Sequence, residues 1–131
     1  MIDKKTIKSC RDIFNSFPQI KLAYFFGSQA TGNNGPLSDY DFAVYLAERN
    51  AKKAFDLKCR LQDRLSRLLK TNAVDIVILN SAEGPEIKYE IVKNGRLIYE
   101  QEPYRVLIEP KILREYFDFT IVMRKYNLTK A

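Results

Sequence analysis

Four segments of the chain carry apolar residues at helical spacing. Each repeats its apolar positions every three or four residues, so that they gather on one side of a helix. Asp3 is placed to cap the first helix, Pro85 suits a first helical turn, and Gly95 follows a last one. The pattern predicts helices over residues 4–17, 51–69, 85–94 and from Pro110 to about Tyr126.

Short apolar runs between these segments predict β-strands. Residues 20–26 are apolar at both odd and even positions apart from Lys21, which indicates a strand buried on both faces. Further strands are expected over 39–46 and 73–79, with a short edge strand over 96–99. Because strands and helices are interleaved, the sequence predicts an α/β fold with a small mixed sheet of three to four strands covered by helices.

Composition narrows the class of protein. The 131 residues are 46% hydrophobic and 29% charged, which is typical of a globular chain, and we expect a single domain over residues 1–131. The N-terminus lacks an apolar signal region and no apolar run is long enough to cross a membrane, so we expect a cytoplasmic protein without a membrane partner. Cys10 and Cys59 both fall in helical patterns and are expected as buried, reduced thiols.

The chain contains no histidine, which excludes catalytic pairs and zinc sites that need an imidazole. Chemistry must therefore come from carboxylates, hydroxyls, Lys, Arg or a bound metal. The net charge of +6 favours anionic ligands or partners without choosing among them. A basic line on the second helix is most simply a solvated face, the alternative being a surface for RNA or an acidic partner; it comprises Lys53, Arg60, Arg64 and Arg67.

The segment Gly27 to Asp41 is the most informative part of the chain. Gly27 and Ser28 follow a buried strand, and after ten further residues Asp39 and Asp41 begin the next one. Side chains at i and i+2 of a strand share a face, so these two carboxylates should lie close together and repel each other unless a cation lies between them. An all-oxygen ligand set favours Mg²⁺ or Mn²⁺.

Asp75 interrupts an otherwise apolar predicted strand, where an unpaired carboxylate would be costly to bury. If this strand lies beside the one that begins at Asp39, Asp75 completes a three-carboxylate site able to hold two metal ions. The Gly27-Ser28 turn would offer N–H groups and a hydroxyl to phosphate. Taken singly, each feature has a simpler explanation. Gly27-Ser28 would be an ordinary turn, Asp39 and Asp41 a turn cap and a solvent-facing pair, and Asp75 one member of an ion pair with Lys or Arg. Their joint spacing favours metal-assisted nucleotidyl transfer.

The stretch from Phe25 to Val44 resembles the signature of the DNA polymerase β nucleotidyltransferase superfamily, in which Gly-Ser is followed after a spacer by Asp-x-Asp. The short chain looks like the minimal nucleotidyltransferases (MNT), often antitoxin partners of HEPN-domain RNases. The resemblance implies the polymerase β-like fold. It also implies that Gly27 and Ser28 hold the triphosphate, and that Asp39 and Asp41 bind both metals.

In the same resemblance Asp75 would bind the catalytic metal and help to deprotonate the acceptor. The expected cofactor is Mg²⁺, as one or two ions, with Mn²⁺ able to substitute. The chain has Thr31 where relatives commonly carry an arginine, which removes one phosphate contact. The resemblance implies an antitoxin that transfers AMP from ATP, or another NTP, to a hydroxyl of a HEPN toxin, most simply a tyrosine. The alternative is a catalytically degenerate module that neutralises its toxin sterically.

The last predicted helix is apolar on more than one side. One face carries Ile112, Tyr116, Phe119, Met123 and Tyr126, and a second group widens it, namely Leu113, Phe117, Ile121 and Val122. A helix packed on a sheet can bury only one side, so the excess should meet another chain, either the toxin or a second copy. No aromatic residues interleave the basic line, which disfavours a nucleic-acid partner.

Overall fold

The structure, a computed structural model, describes residues 3–27, 40–81 and 84–126. Four helices and four strands lie within these ranges, in the predicted order. The helices are α1 (Lys4–Asn15), α2 (Ala51–Leu69), α3 (Pro85–Asn94) and α4 (Tyr104–Lys125), and the strands are β1 (Ile20–Phe26), β2 (Tyr40–Leu46), β3 (Val74–Ile78) and β4 (Arg96–Glu100).

The helix starts follow local capping chemistry. The Asp3 carboxylate accepts a hydrogen bond of 2.7 Å from the backbone N–H of Thr6, as its predicted role at the start of α1 requires. The Asn50 side chain does the same for the N–H of Lys53 at the start of α2, at 3.0 Å. Pro85 lies in the first turn of α3, which also confirms the sequence prediction.

The sheet has the strand order β3-β2-β1-β4. β1 lies in the interior and pairs antiparallel with both β2 and β4, while β2 and β3 are parallel and are joined through α2. The sheet is therefore mixed, as predicted. The interior position of β1 explains its apolar residues on both faces, and β4 is the edge strand predicted over 96–99.

Each face of the sheet carries its own core. On the first face, α1 and α2 pack against the sheet through residues such as Phe14, Leu61 and Phe42. On the second face, α3 and α4 contribute Ile91 and Ile108, which pack with Tyr24. The predicted leucine stripe of α2 does face the core, with its central residues Leu57, Leu61 and Leu65 fully buried.

The last helix corrects one prediction. Pro110 was expected to open it because proline is favoured in a first turn, but α4 begins at Tyr104 and contains Pro110 in its interior. The missing proline N–H would have bonded to the C=O of Val106. Val106 and Pro110 are both exposed, so water can satisfy that carbonyl and the helix continues.

The two cysteines differ in their exposure to solvent. Cys10 is fully buried in α1, as expected, and burial raises the pKa of its thiol to about 11. Cys59 is exposed, so the expectation that both thiols are buried is wrong for this residue. It lies beside the core-facing stripe of α2 rather than on it. In the described ranges, no helix is both long and apolar enough to cross a membrane.

Candidate active site

Three side chains lie in one row across neighbouring strands at one end of the sheet. Asp41 of β2 is the register partner of Phe26 on β1 and of Asp75 on β3. Directly paired residues project to the same face, and adjacent strands lie about 4.8 Å apart. Asp41 and Asp75 therefore stand side by side on the face covered farther along by α3 and α4, as the sequence analysis required of strands two and three.

The setting of Asp75 differs from the one expected. The apolar sequence of its strand predicts a buried setting, where an unpaired carboxylate would be costly. Among the described strands β3 is the last in the sheet, and Asp75 is exposed. Its charge therefore carries little desolvation cost. Asp41, one strand inward, is half-buried.

Gly27 directly follows β1 and lies beside Asp41. Its φ is +82°, in the left-handed region that disfavours residues with a side chain. A Cβ added to Gly27 would overlap the Oδ2 of Asp41. The absence of a side chain at Gly27 therefore permits the close approach of the Asp41 carboxylate.

Gly95 closes the same end of the sheet from the other side. It was predicted to end a helix, and α3 does end at Asn94, but Gly95 has an ordinary extended conformation with φ −75°. A Cβ there would collide with the backbone carbonyl oxygen of Ile91 and would lie 3.5 Å from the Cβ of Phe26. The glycine thus leaves room for the carbonyl oxygen of Ile91, which accepts from the Gly95 N–H at 2.8 Å where α3 ends beside Phe26, the β1 member of the row.

The other expected site residues lie outside the described residues. These are Ser28 and Asp39, together with Thr31 at the departure from the family pattern. Within the described ranges no group of three His, Cys, Asp or Glu side chains is gathered closely enough to hold a metal ion. Asp41 and Asp75 provide two adjacent carboxylates, the oxygen donors that suit a hard divalent cation.

A groove beside Asp75 was missed by the sequence analysis. It has a volume of about 700 Å³ and runs along the outer edge of β3, with the first half of α2 as its wall. Phe55, 61% exposed, and Lys58 project from that wall. The available signal was Phe55 itself, an aromatic residue in α2 outside the leucine stripe.

At the far end of this groove, one side chain forms paired hydrogen bonds with a strand backbone, as a neighbouring strand would. The Asn80 amide donates to the C=O of Leu46 at 2.7 Å, and its carbonyl oxygen accepts from the N–H of Leu46 at 2.8 Å. This pair fastens the turn after β3 to the end of β2. The edge of β3 is therefore anchored next to the site.

The basic line on α2 serves the fold at two of its positions. The guanidinium groups of Arg60 and Arg64 lie 5.7 and 5.6 Å from the ring centre of Phe17, and Arg64 also donates to the hydroxyl of Ser16 at 2.6 Å. These contacts join α2 to the end of α1. They support the simpler interpretation of the line, a solvated face with local packing.

Comparison with known proteins agrees with this geometry. Residues 8–104 match the family described as polymerase beta, nucleotidyltransferase. The chain is 31% identical over 99 residues to protein adenylyltransferase MntA of Aphanizomenon flos-aquae (strain 2012/KM1/D3). That match covers 68% of this chain and 63% of MntA, so the chain spans less than two thirds of this relative.

Solved structures show the same fold at lower identity. A chain in a toxin–antitoxin crystal structure with AMP-PNP has a TM-score of 0.74 and 23% identity, with 95% of each chain covered. A chain in the structure of a tri-AMPylated Shewanella oneidensis HEPN toxin in complex with MNT antitoxin has a TM-score of 0.72 and 21% identity, again over 95% of each. The mixed four-stranded sheet with its helices is the fold of these proteins. From the match over residues 8–104 and this shared fold, we conclude that the chain belongs to the polymerase beta nucleotidyltransferase family.

Proposed function

We propose that this chain is an Mg²⁺-dependent nucleotidyltransferase that moves AMP from ATP to a hydroxyl group, most simply a tyrosine, of a HEPN-domain toxin, and so acts as an antitoxin. The observation that carries the proposal is the in-register pair Asp41 and Asp75 on one sheet face of a family member. Supporting it are the similarity to a protein adenylyltransferase and the fold shared with toxin–antitoxin complexes. We treat residues 1–131 as one nucleotidyltransferase domain.

In the proposed reaction the acceptor oxygen attacks the α-phosphorus of ATP. A new O–P bond forms, the bond between the α-phosphorus and the bridging oxygen breaks, and pyrophosphate leaves. Asp75, which is exposed at the sheet edge, would take the hydroxyl proton. Gly27 and Ser28 would hold the triphosphate; Gly27 leaves the end of β1 free of a side chain.

Nucleotidyltransferases of this kind generally use divalent metal ions. In this chain Asp39, Asp41 and Asp75 would hold one or two Mg²⁺ ions, for which Mn²⁺ can substitute, because carboxylate oxygens are the donors these ions prefer. Bound Mg²⁺ would neutralise the triphosphate and lower the barrier to attack at phosphorus. Asp41 is held against Gly27, which limits the positions available to its carboxylate.

A protein acceptor fits the exposed apolar surface of the last helix. Large apolar side chains stay exposed along α4, and they would face this partner, namely Val106, Leu107, Phe117, Ile121 and Val122.

The test is transfer of labelled AMP. Purified chain is incubated with Mg²⁺, α-labelled ATP and HEPN-domain toxins from the same genome, and the modified residue is located by mass spectrometry. We expect label on a toxin tyrosine and loss of the toxin's RNase activity. If the chain neutralises the toxin without labelling it, and Asp41→Asn neutralises the toxin equally well, the result would instead support the sterically acting module.

A further inference from the structure

We propose that the outer edge of β3 binds the acceptor segment of the partner protein as an added β-strand, which carries the acceptor hydroxyl to Asp75. This inference rests on the proposed function, because it assigns the binding mode of that reaction's protein substrate. It concerns the edge of β3 beyond Asp75, whose backbone groups take no part in the reaction chemistry.

Within the part of the chain that the structure describes, the backbone of β3 has hydrogen-bonding groups at this edge that pair with no other strand. The N–H of Tyr40 donates to the C=O of Ala73 at 2.8 Å, and the N–H of Leu79 donates to the C=O of Val44 at 2.8 Å. The odd-numbered residues of β3 therefore bond to β2. Because backbone groups alternate along a strand, the N–H groups of Ile76 and Ile78 point away from the sheet.

One outward group already has a partner, and it marks the limit of the free edge. The side-chain amide of Gln62 on α2 donates to the C=O of Val74 at 2.9 Å. That contact closes the edge at the start of β3. From Ile76 onwards the groove is open, and Asp75 lies at the boundary between the closed and open parts.

The wall of the groove is apolar where an added strand would need it. Phe55 and Ala54 of α2 line the groove together with Val77 and Ile78. Phe55 is the one large apolar side chain of α2 that is strongly exposed, and the buried stripe of this helix lies on another side. The charges around the groove have both signs, with Arg49 and Lys58 against Glu48, which favours a segment of low net charge over a polyanion.

The geometry relates two side chains of the incoming segment. An added strand would turn alternate side chains to opposite faces of the sheet. Asp75 projects on the face of α3 and α4, whereas Phe55 belongs to α2 on the other face. The acceptor residue must therefore lie on one face of the added strand, and an apolar residue that contacts Phe55 must lie on the other. The sequence numbers of these two partner residues then differ by an odd number.

Hydrogen exchange tests this binding mode directly. Amide exchange is followed by NMR in the chain alone and in its complex with the HEPN toxin. We expect the amides of Ile76 and Ile78 to exchange at least about tenfold more slowly in the complex. The amides of Asp75 and Val77, which face β2, should already be protected in the free chain.

A matched pair of variants tests the wall. Phe55→Ala should raise KM for the toxin by about tenfold while KM for ATP stays unchanged. Ile87→Ala removes another exposed apolar side chain, on α3 and away from the groove, and should leave both values unchanged.

The outcomes separate the two proposals. Protection of Ile76 and Ile78 in a complex that transfers no AMP supports the binding mode and contradicts the enzyme. Transfer without this protection overturns the binding mode and leaves the enzyme standing. If the amides of Ile76 and Ile78 become more protected as the concentration of the chain alone is raised, the edge binds a second copy of the chain. That result also overturns the inference. A chain that binds no HEPN toxin contradicts both.

Discussion

The carboxylate of Asp41 occupies the space that a side chain at Gly27 would need. Gly27 directly follows β1 and has φ +82°, and Asp41 lies on the neighbouring strand as the register partner of Phe26. Two constraints thus coincide at Gly27, a left-handed backbone and contact with a site carboxylate. Even the smallest side chain would have to displace Asp41 from its position beside Asp75.

Gly27→Ala should therefore damage both stability and activity. We expect a loss of about 1–3 kcal/mol in the free energy of unfolding, from the strained φ and the overlap, together with loss of AMP transfer. Gly84→Ala is the matched control, because Gly84 also has positive φ, +77°, but has nothing within 4 Å of an added Cβ. Urea unfolding and the labelled-ATP assay measure the two effects. Equal losses in both variants would show that contact with Asp41 is unimportant.

Asp41→Asn should abolish transfer and leave the fold intact. The change keeps the size of the side chain but removes a charge that would bind metal, and relief of repulsion with Asp75 can raise stability slightly. Asp56→Asn alters an exposed carboxylate on α2 outside the row and should retain wild-type transfer. Circular dichroism, thermal unfolding and AMP transfer are compared for the three proteins. Wild-type transfer by Asp41→Asn would contradict the catalytic assignment.

Tyr24 joins β1 to α4 through a partly buried hydrogen bond. Its hydroxyl donates to Oε2 of Glu109 at 2.6 Å, and the side chain is 1% exposed. Tyr24→Phe should lower the free energy of unfolding by about 1–3 kcal/mol, because Glu109 loses a donor. Urea unfolding at neutral pH measures the difference, and Tyr126→Phe, at an exposed tyrosine, should change little.

The same residue predicts a pH dependence. Burial, followed by the hydrogen bond to Glu109, raises the pKa of Tyr24 above its ordinary value of about 10. The neutral phenol is favoured in the folded state, so its contribution is fully present below pH 10 and is lost as pH rises above that value. The stability advantage of wild type over Tyr24→Phe should therefore shrink on alkaline titration. A constant difference up to pH 11 would contradict this.

The exposed side of α4 should bind the partner. Three aromatic rings were predicted on the apolar sides of this helix. Of these, Tyr116 and Phe119 are half-buried, and Tyr116 stacks on Tyr89 with ring centres 3.8 Å apart. Phe117 is 54% exposed. Phe117→Asp should abolish association with the toxin without unfolding the chain, because it would place an unpaired charge in the interface.

Phe117→Leu keeps an apolar side chain and should retain most of the binding. Size-exclusion chromatography with light scattering measures association with the toxin and between copies of the chain. An interface with an obligate partner should bury more than about 1,000 Å². Full toxin binding by Phe117→Asp would place the interface elsewhere.

Local patterns in the sequence determined the elements of the fold. Apolar spacing defines one face of a helix or strand through nearest neighbours alone, so it was enough to predict β1, α2 and α3 with the bounds that the structure has. The alternation of side chains along strands was likewise enough to propose that Asp41 and Asp75 share a face once their strands are neighbours. The excess apolar surface of the last helix was likewise predicted from the positions of its apolar residues around the helix.

Tertiary packing decided what depends on residues far apart in the sequence. The order of strands makes β3 an edge, so Asp75 is exposed instead of buried, and it opens the groove beside α2. The approach of Asp41 to Gly27 joins two strands, and Pro110 stays inside α4 because solvent reaches that side of the helix. Periodicity specifies which face of an element is apolar, but not which element will cover it. Exposure, edges and close contacts are therefore settled only when the elements pack together.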